Sequence, residues 1–444
     1  MRSTPDGAVT DDFKTTPFWW EAAPLGPDSP SQAQLPARAD VAVIGAGLSG
    51  LSVALHLARG GVDVVAFEAD RPGEHASTRN FGAIGRTIRP KFTDLVERGG
   101  VEFAVRVYEE AKAWVEHTVD FIEREGIDCR FRRDGRVVGA HSQAAYDAAD
   151  RELESTSLHM DVETEMVPRA DQHRELGSDV YHGGCVLADV GHLDPARYYA
   201  GVRQRALDAG VRILPGTRVT SVERIATRFR VATARGAMDA EQVVLATNAE
   251  TGADHALFRY FRRRIVPVAV YSAVSEPLEP GLVEEIIPRA RTVLETRRLY
   301  TALRPVVGEE RLLVVGQHLV EHRSEAVAAA SLRRDLAVRY PRLASVRFSH
   351  VWRGRFAVTF DWLPHVGTHE GIHYLHGLVG AGVPACGYLG HKLAQRILSR
   401  PNRDTVFADR RYPQRFGYRG SPWFLPLIGR WYRALDRHEA GLPR

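Results

Sequence analysis

Hydrophobic and polar positions change period several times along this chain, and each change marks an element. Val41-Ala-Val-Ile44 is a short unbroken apolar run, as in a strand covered on both faces. Gly45-Ala46-Gly47-Leu48-Ser49-Gly50 follows at once. Leu48, Leu51, Ala54, Leu55 and Ala58 then recur at helical spacing, up to the stop at Gly60-Gly61. Val62-Asp-Val-Val-Ala-Phe67 is a second strand, ending at Glu68. The spacing predicts a βαβ unit of about 30 residues.

Further along, residues 100–125 read as a long amphipathic helix around Phe103, Val107, Ala111, Trp114 and Val115. Residues 131–140 read as a hairpin turning at Asp134-Gly135. Asp194-Pro195 reads as an N-cap with proline at the first helical position, opening a helix that closes near Gly210. Short strands are expected at 211–214, 218–223, 229–234 and 242–246. Residues 263–320 read as mostly strands, 327–340 as helix, and 379–398 as a strand end, a glycine turn and a helix. Residues 1–38 are rich in Pro, Ser and Asp around one island, Phe18-Trp19-Trp20, and read as an extended arm packing on the body. The tail 401–444 holds Pro422-Trp-Phe-Leu-Pro426 and Trp431-Tyr432 and reads as a surface clasp. No internal repeat is visible.

Composition narrows the class. The 444 residues are 44% hydrophobic, enough for two or three globular domains. The net charge is +4, and acidic residues are interleaved almost everywhere with the basic ones, so a nucleic-acid partner is not expected. The most basic short run, Phe258-Arg-Tyr-Phe-Arg-Arg-Arg264, reads as a solvated edge leading into a strand. No apolar run reaches the ~18–20 residues of a membrane span. The polar start lacks a signal core, so a cytoplasmic protein is expected. Cys129, Cys185 and Cys386 are too scattered for a disulfide framework or a zinc site.

Chemistry concentrates at Gly45-x-Gly47-x-x-Gly50. The first glycine allows the tight turn out of the strand. The second lets a pyrophosphate approach the backbone, and the third lets helix and strand pack closely. The helix N-terminus offers free N–H groups and partial positive charge to phosphates. Glu68, at the end of the next strand, can accept hydrogen bonds from ribose hydroxyls. These features predict a bound dinucleotide, FAD or NAD; the competing reading is a glycine turn without a ligand.

Later residues discriminate. Gly73-x-x-Ala76-Ser77-Thr78-Arg79-Asn80-Phe81-Gly82, Thr247-Asn248-Ala249, Ser275-Glu-Pro-Leu278, Asp361-Trp-Leu-Pro364-His-Val-Gly367 and Gly380-Ala381-Gly382-Val383-Pro384 are together specific. Across most of residues 18–435 the chain resembles the D-amino-acid-oxidase-like (DAO) family of FAD-dependent amine oxidoreductases. Within that family it is most similar to the γ-glutamylputrescine oxidoreductase-type branch. The resemblance implies an α/β fold: a Rossmann-like FAD-binding domain of the glutathione-reductase type, with an interleaved α+β lobe built on a mixed sheet. The expected division is 1–38 as arm; 39–100, 190–257 and 351–400 as FAD-binding domain; 101–189 and 258–350 as substrate-binding domain; and 401–444 as tail.

Carried onto this chain, the resemblance implies that Gly45, Ala46, Gly47, Leu48, Ser49 and Gly50 meet the pyrophosphate, with Glu68 and Ala69 near the ribose. Ser77, Thr78, Arg79, Asn80, Phe81 and Gly82 would lie between phosphate and flavin, with Thr247 and Asn248 in the same site. Val219 would hold the adenine, and Gly380, Ala381, Gly382 and Val383 would face the pyrimidine edge of the flavin. The final helix would then aim its positive end at a flavin locus that gains negative charge. Gly380-x-Gly382 read as a second dinucleotide motif is the lesser alternative, since Pro384 removes a donor. Neither of the side chains that attach flavin covalently in relatives stands at its place here, although His75 is nearby. Non-covalent FAD is expected.

Arg86-Thr-Ile-Arg89 is similar to an Arg-x-x-Arg that holds a substrate carboxylate in relatives, since guanidinium forks grip carboxylates. A surface salt bridge is the competing reading. Tyr300 and Arg304 would stand on a strand extended over the flavin, and His318 at the place of an active-site histidine, with a hydrogen-bonded core or edge histidine as the competing reading. Trp352 would wall the pocket or pack in the core. The lysine that activates oxygen in some relatives would be replaced by Val314, and no lysine stands between Lys112 and Lys392. The expected reaction is oxidation of a C–N bond of an amine or amino acid to an imine, by hydride transfer to flavin N5, with oxygen reoxidising the flavin and yielding peroxide. The alternatives are a dehydrogenase passing electrons to a quinone or an electron-transfer protein, and a non-catalytic flavin-binding subunit.

Overall fold

In a computed structural model, the structure describes residues 7–26, 34–251, 256–316, 319, 321–379 and 382–439. The apolar run at the start of the chain forms the strand Arg38–Ile44, and the helix Leu48–Ala58 leads to the parallel strand Val64–Phe67. Val41 pairs with Val64, and Ile44 with Phe67. On its other edge Arg38–Ile44 pairs in parallel with Gly236–Leu245, bringing Leu245 beside Ile44. This mixed sheet runs Val219–Ile225, Arg228–Thr233, Gly236–Leu245, Arg38–Ile44, Val64–Phe67, Arg212–Leu214. Ile372–His376 joins it along Gly236–Leu245 and pairs in turn with His365–His369.

Helices cover the sheet. Leu48–Ala58 packs with Val101–Glu125 and Gly382–Ile397, burying Leu51, Leu55, Trp114, Leu389 and Leu393 in one core. Each such side chain contributes about 1.5–3 kcal/mol of burial free energy. The Asp194 cap is as expected: its Oδ1 accepts from the N–H groups of Ala196 and Arg197 at 3.0 and 3.1 Å, and Pro195 opens the helix Pro195–Asp208.

A second mixed sheet faces the first. Its nine strands run Val9–Lys14, Phe348–Thr359, Ile265–Ser275, Leu312–Gly316, Thr301–Pro305, Thr292–Glu295, Arg136–Gly139, Gly184–Leu187, Thr164–Val167. Behind it, Glu295 is buried between Arg339 (Nε to Oε2, 3.0 Å) and Arg297. Its Oε1 accepts from the N–H of Thr301 at 2.8 Å. Burial pushes the Glu295 carboxyl up, but the Arg339 guanidinium outweighs this and holds it below its ordinary range.

Four local expectations need amendment. Residues 131–140 form no hairpin: only Arg136–Gly139 is a strand, and its partners are Gly184–Leu187 and Thr292–Glu295, from elsewhere in the chain. Gly135 turns with φ 83°, but the chain before it runs into a single bridge between Arg132 and His192. The arm contains a true strand, Val9–Lys14, at the edge of the second sheet beside Phe348–Thr359. That long strand carries residues 351–359 into the second sheet rather than the first. The tail contains the helix Leu425–Glu439, whose prolines at 422 and 426 flank only its start.

Candidate functional site

Between the two sheets lies a cavity of about 640 Å³. The glycine turn forms one wall. Gly45 turns at φ 101°, and its N–H donates to the Phe67 carbonyl at 2.8 Å. At Gly50 an added Cβ would lie 1.9 Å from the Gly45 carbonyl oxygen, so only glycine lets the helix rest on the turn. At Gly47 the obstacle is a side chain, with an added Cβ 2.8 Å from the Oγ of Ser77. That hydroxyl accepts from the N–H of Leu48, at the positive end of Leu48–Ala58. Gly45, Gly47, Leu48 and Ser49 all line the cavity.

Glu68 and Ala69 line it where the second strand ends. The Glu68 carboxylate accepts from the N–H groups of Ala46 (3.1 Å) and Asp70 (3.3 Å), and burial raises its pKa. Ala46 and Gly50 lie behind the wall, Ala46 supplying that donor. Asp70, Thr217, Arg218 and Val219 border the same part of the cavity. His75 lines it too, with Nε2 2.9 Å from Asp70.

The segment after the second strand is locked from both sides. Ser77, Arg79, Asn80 and Phe81 reach the cavity, while Thr78 and Gly82 do not. Thr78 is fully buried. Its Oγ1 donates to the Gly73 carbonyl at 2.7 Å and accepts from Trp20 Nε1 at 2.9 Å, and its carbonyl accepts from Trp19 Nε1. The aromatic island of the arm therefore fastens this loop. Asn80 Nδ2 donates to the carbonyls of Ala76 and Ser77, and its Oδ1 accepts from Gly82 N–H at 2.7 Å. Arg304, wholly buried with its pKa lowered to about 10 by desolvation, donates to the carbonyls of Phe81 (2.9 Å) and Leu193 (3.2 Å) from behind the wall. Trp352 is core: it packs against Trp19 and donates to the Arg79 carbonyl at 3.1 Å.

Thr247 and Asn248 close the floor, where Asn248 Oδ1 accepts from Gly377 N–H at 3.1 Å. Gly382 and Val383 line the cavity from the start of Gly382–Ile397. Gly380, Ala381 and His318 lie outside the described residues.

The second sheet supplies the opposite wall with Val270, Ser272, Val315, Gly354, Arg355 and Phe356, and Tyr300, just before its strand Thr301–Pro305, joins them. Val314 faces the core on the other side, so the side chain presented here is Val315, one residue later, as strand alternation requires. The Arg86–Arg89 pair is divided. Arg86 is committed to Asp189 (2.9 Å) and to Thr164 Oγ1 (3.0 Å), off the cavity wall. Arg89 lines the cavity, donates from Nη2 to the Tyr300 hydroxyl at 3.3 Å and stacks over that ring at 5.2 Å. Asp70, Ser272, Phe356 and Cys386 went unread in the sequence. For Ser272, Phe356 and Cys386 the signal is a strand register or a helix phase that exists only once partners are paired; Asp70 lies in the bend after Val64–Phe67.

This cavity fits a stretched dinucleotide. It has a side-chain-free gap at Gly47, the start of a helix on each of two walls, and a buried carboxylate, Glu68, in its lining.

The family model described as FAD dependent oxidoreductase (DAO) matches residues 40–396. The chain is 27% identical over 405 residues to "Probable oxidoreductase OrdL" of Haemophilus influenzae, covering 90% of this chain and 93% of that protein. It is 28% identical over 372 residues to γ-glutamylputrescine oxidoreductase of Escherichia coli, covering 83% and 86%. Among solved structures, glycine oxidase from Geobacillus kaustophilus superposes with a TM-score of 0.70 at 20% identity, covering 85% of this chain and all of that one. L-proline dehydrogenase from P. horikoshii gives 0.67 at 18% identity, covering 92% and 100%.

Proposed function

Since this chain belongs to the FAD-dependent oxidoreductase (DAO) family and is an FAD enzyme, we propose that it oxidises the C–N bond of an amine or amino acid. The cofactor is non-covalent FAD. When bound, FAD would supply the two-electron acceptor for oxidation of the C–N bond to an imine, which water would hydrolyse, with oxygen as the final acceptor. The observation that carries the reading is the Arg89–Tyr300 pair on a cavity wall that also carries Val270, Ser272, Val315, Gly354, Arg355 and Phe356. A guanidinium and a phenol hydroxyl there grip one polar end of a small substrate, and the apolar side chains Val270, Val315 and Phe356 exclude water from the carbon that reacts. A carboxylate is the group that suits Arg89.

The chain's other groups position the cofactor. Gly45, Gly47 and the first turn of Leu48–Ala58 would receive the pyrophosphate, with Ser77 beside them, and Glu68 would receive the ribose. Val219 would hold the adenine, and the start of Gly382–Ile397 would face the pyrimidine edge of the flavin, where the helix dipole would favour negative charge. Arg79, Asn80, Phe81, Thr247 and Asn248 line the stretch between. No side-chain base is needed when the substrate nitrogen binds unprotonated, 3–3.5 Å being about the reach required for carbon and acceptor.

A second reading replaces oxygen with another acceptor. The position expected to match an oxygen-activating lysine, Val314, faces the core, its neighbour on the cavity wall, Val315, is also valine, and no lysine stands between Lys112 and Lys392. Admitting air to substrate-treated protein and assaying peroxide separates the two: stoichiometric peroxide supports the oxidase, and slow reoxidation in air, made fast by a quinone, supports the dehydrogenase.

A further inference from the structure

The helix Leu425–Glu439 carries two apolar faces. The inner one, with Leu425, Ile428 and Tyr432, packs on Val266, Val358 and Leu299. Asp436 pins it by accepting from the backbone N–H groups of Arg298 (3.2 Å) and Leu299 (3.1 Å), and Glu439 pairs with the Arg298 guanidinium at 2.7 Å. Apart from ring contacts with their own neighbours Phe424 and Tyr432, the outer side chains stand open to solvent. Trp423 is 69% exposed, Leu427 57% and Trp431 59%, and Phe416, in the loop before, is fully exposed. These are four of the ten large apolar side chains exposed among the described residues, gathered within one short stretch of a 444-residue chain.

Charge gathers in the same place. Leu427 and Trp431 stand one turn apart, and Arg430, Arg433 and Arg437 form the neighbouring exposed row. Residues 411–439 contain six arginines and two acidic residues, an excess of four that equals the net +4 of the whole chain. Both acidic residues, Asp436 and Glu439, are already held by Arg298. At 15 residues, about 22 Å long, the helix is too short for a hydrocarbon core of about 30 Å, and no described helix is long and apolar enough to cross a membrane.

We propose that this face docks on the surface of an anionic lipid bilayer, the helix lying in the interfacial plane. Tryptophans seat at the headgroup boundary, leucine dips toward the acyl chains, and the arginine row meets lipid phosphates. A second copy of the chain fits less well, because a two-fold interface would set the arginine row against itself with no free carboxylate on this helix to meet it. The inner face of the helix sits on Leu299, next to Tyr300, so the docked surface lies on the Tyr300 side of the cavity.

The test uses the full FAD-bound chain and flotation with vesicles of phosphatidylcholine alone or mixed with phosphatidylglycerol. Vesicle capture reads no chemistry, so its outcome is separate from that of the oxidation proposal. The expected result is capture by the anionic vesicles, lost on adding salt, and none by phosphatidylcholine alone. The triple change Arg430→Gln, Arg433→Gln, Arg437→Gln should weaken capture roughly 100-fold, from about fivefold per arginine near an anionic surface. The triple change Trp423→Ser, Leu427→Ser, Trp431→Ser should abolish it, with flavin absorbance unchanged in both as the sign of an intact fold. The proposal is overturned by absence of capture at low salt, by equal capture of neutral vesicles, or by unaltered capture of either folded variant. It is equally overturned if the chain stays off vesicles and forms a dimer that the same changes dissociate.

Discussion

The N–H of Leu48 donates to the Oγ of Ser77 at 3.0 Å, across the space that a side chain on Gly47 would fill. One strand–turn–helix unit and the loop after the second strand thus form a single cradle. The helix end supplies positive potential, Ser77 the far rim, and Gly47 the gap between.

Filling that gap tests the assignment of the phosphate site. A valine at Gly47 puts its Cβ 2.8 Å from Ser77 Oγ and two methyl groups beyond it, into the cradle. Gly47→Val should fold and purify without flavin colour, while Gly47→Ala, which Ser77 can accommodate by rotating, should keep weakened binding. Flavin absorbance per protein after gel filtration decides it. A Gly47→Val protein with full flavin content would remove the pyrophosphate from this turn.

Arg89 separates substrates by their charge. Losing one charge-assisted hydrogen bond costs about 1.5–3 kcal/mol, so Arg89→Ala should lower kcat/KM for an amino-acid substrate by roughly 10–100-fold, mostly through KM. A simple amine should change little. Arg86→Ala, whose guanidinium is bound to Asp189, should affect both substrates alike and mainly through stability. Steady-state kinetics on paired substrates checks this; equal losses for both substrates in Arg89→Ala would remove it as the anchor.

Glu295 links stability to the site. Glu295→Gln leaves Arg339 buried without its counter-ion and weakens the acceptor that holds Thr301, next to Tyr300. Breaking a buried pair from one side costs about 3–5 kcal/mol, which urea unfolding should register. Because the Glu295 pKa is held below its ordinary value, its contribution is present above the unfolded-state pKa and is lost as pH falls through the folded one. A variant within about 1 kcal/mol of the parent would show the pair to be a negligible support.

Histidine burial sets a second pH dependence. His56, His117 and His391 stand on Leu48–Ala58, Val101–Glu125 and Gly382–Ile397, with ring centroids 4.4 to 6.4 Å apart. Desolvation first, and then His391 beside them, lowers His56 to about 3 and His117 to about 4. The unfolded chain therefore takes up protons before the folded one does. Their contribution is complete above about pH 6.5 and falls below it, by up to about 1.4 kcal/mol per pH unit for each histidine. Unfolding free energies measured from neutral pH down to the acid range should show this slope, and His56→Gln with His117→Gln should flatten it. An unchanged slope in that double variant would locate the proton uptake elsewhere.

What the sequence disclosed follows from which signals are local. The turn Gly45–Gly50, the carboxylate of Glu68 and the Asp194 cap are chemistry within a few residues, and each is where its spacing placed it. Register is not local. Choosing Val315 over Val314 for the wall required knowing that Ala302 pairs with Val315 across the sheet. The expected hairpin at 131–140 failed because Arg136–Gly139 pairs with strands that arrive far later in the chain. Arg86 and Arg89 look equivalent in sequence, and only the fold brings Asp189 to one and Tyr300 to the other.

The most direct measurement is anaerobic titration of the yellow, FAD-bound protein with amines and amino acids, followed by absorbance. Bleaching of the flavin band by at least one such substrate, with one imine-derived carbonyl product released per flavin, is the predicted result. Flavin that every amine and amino acid leaves oxidised, yet dithionite reduces at once, would contradict C–N oxidation at this site.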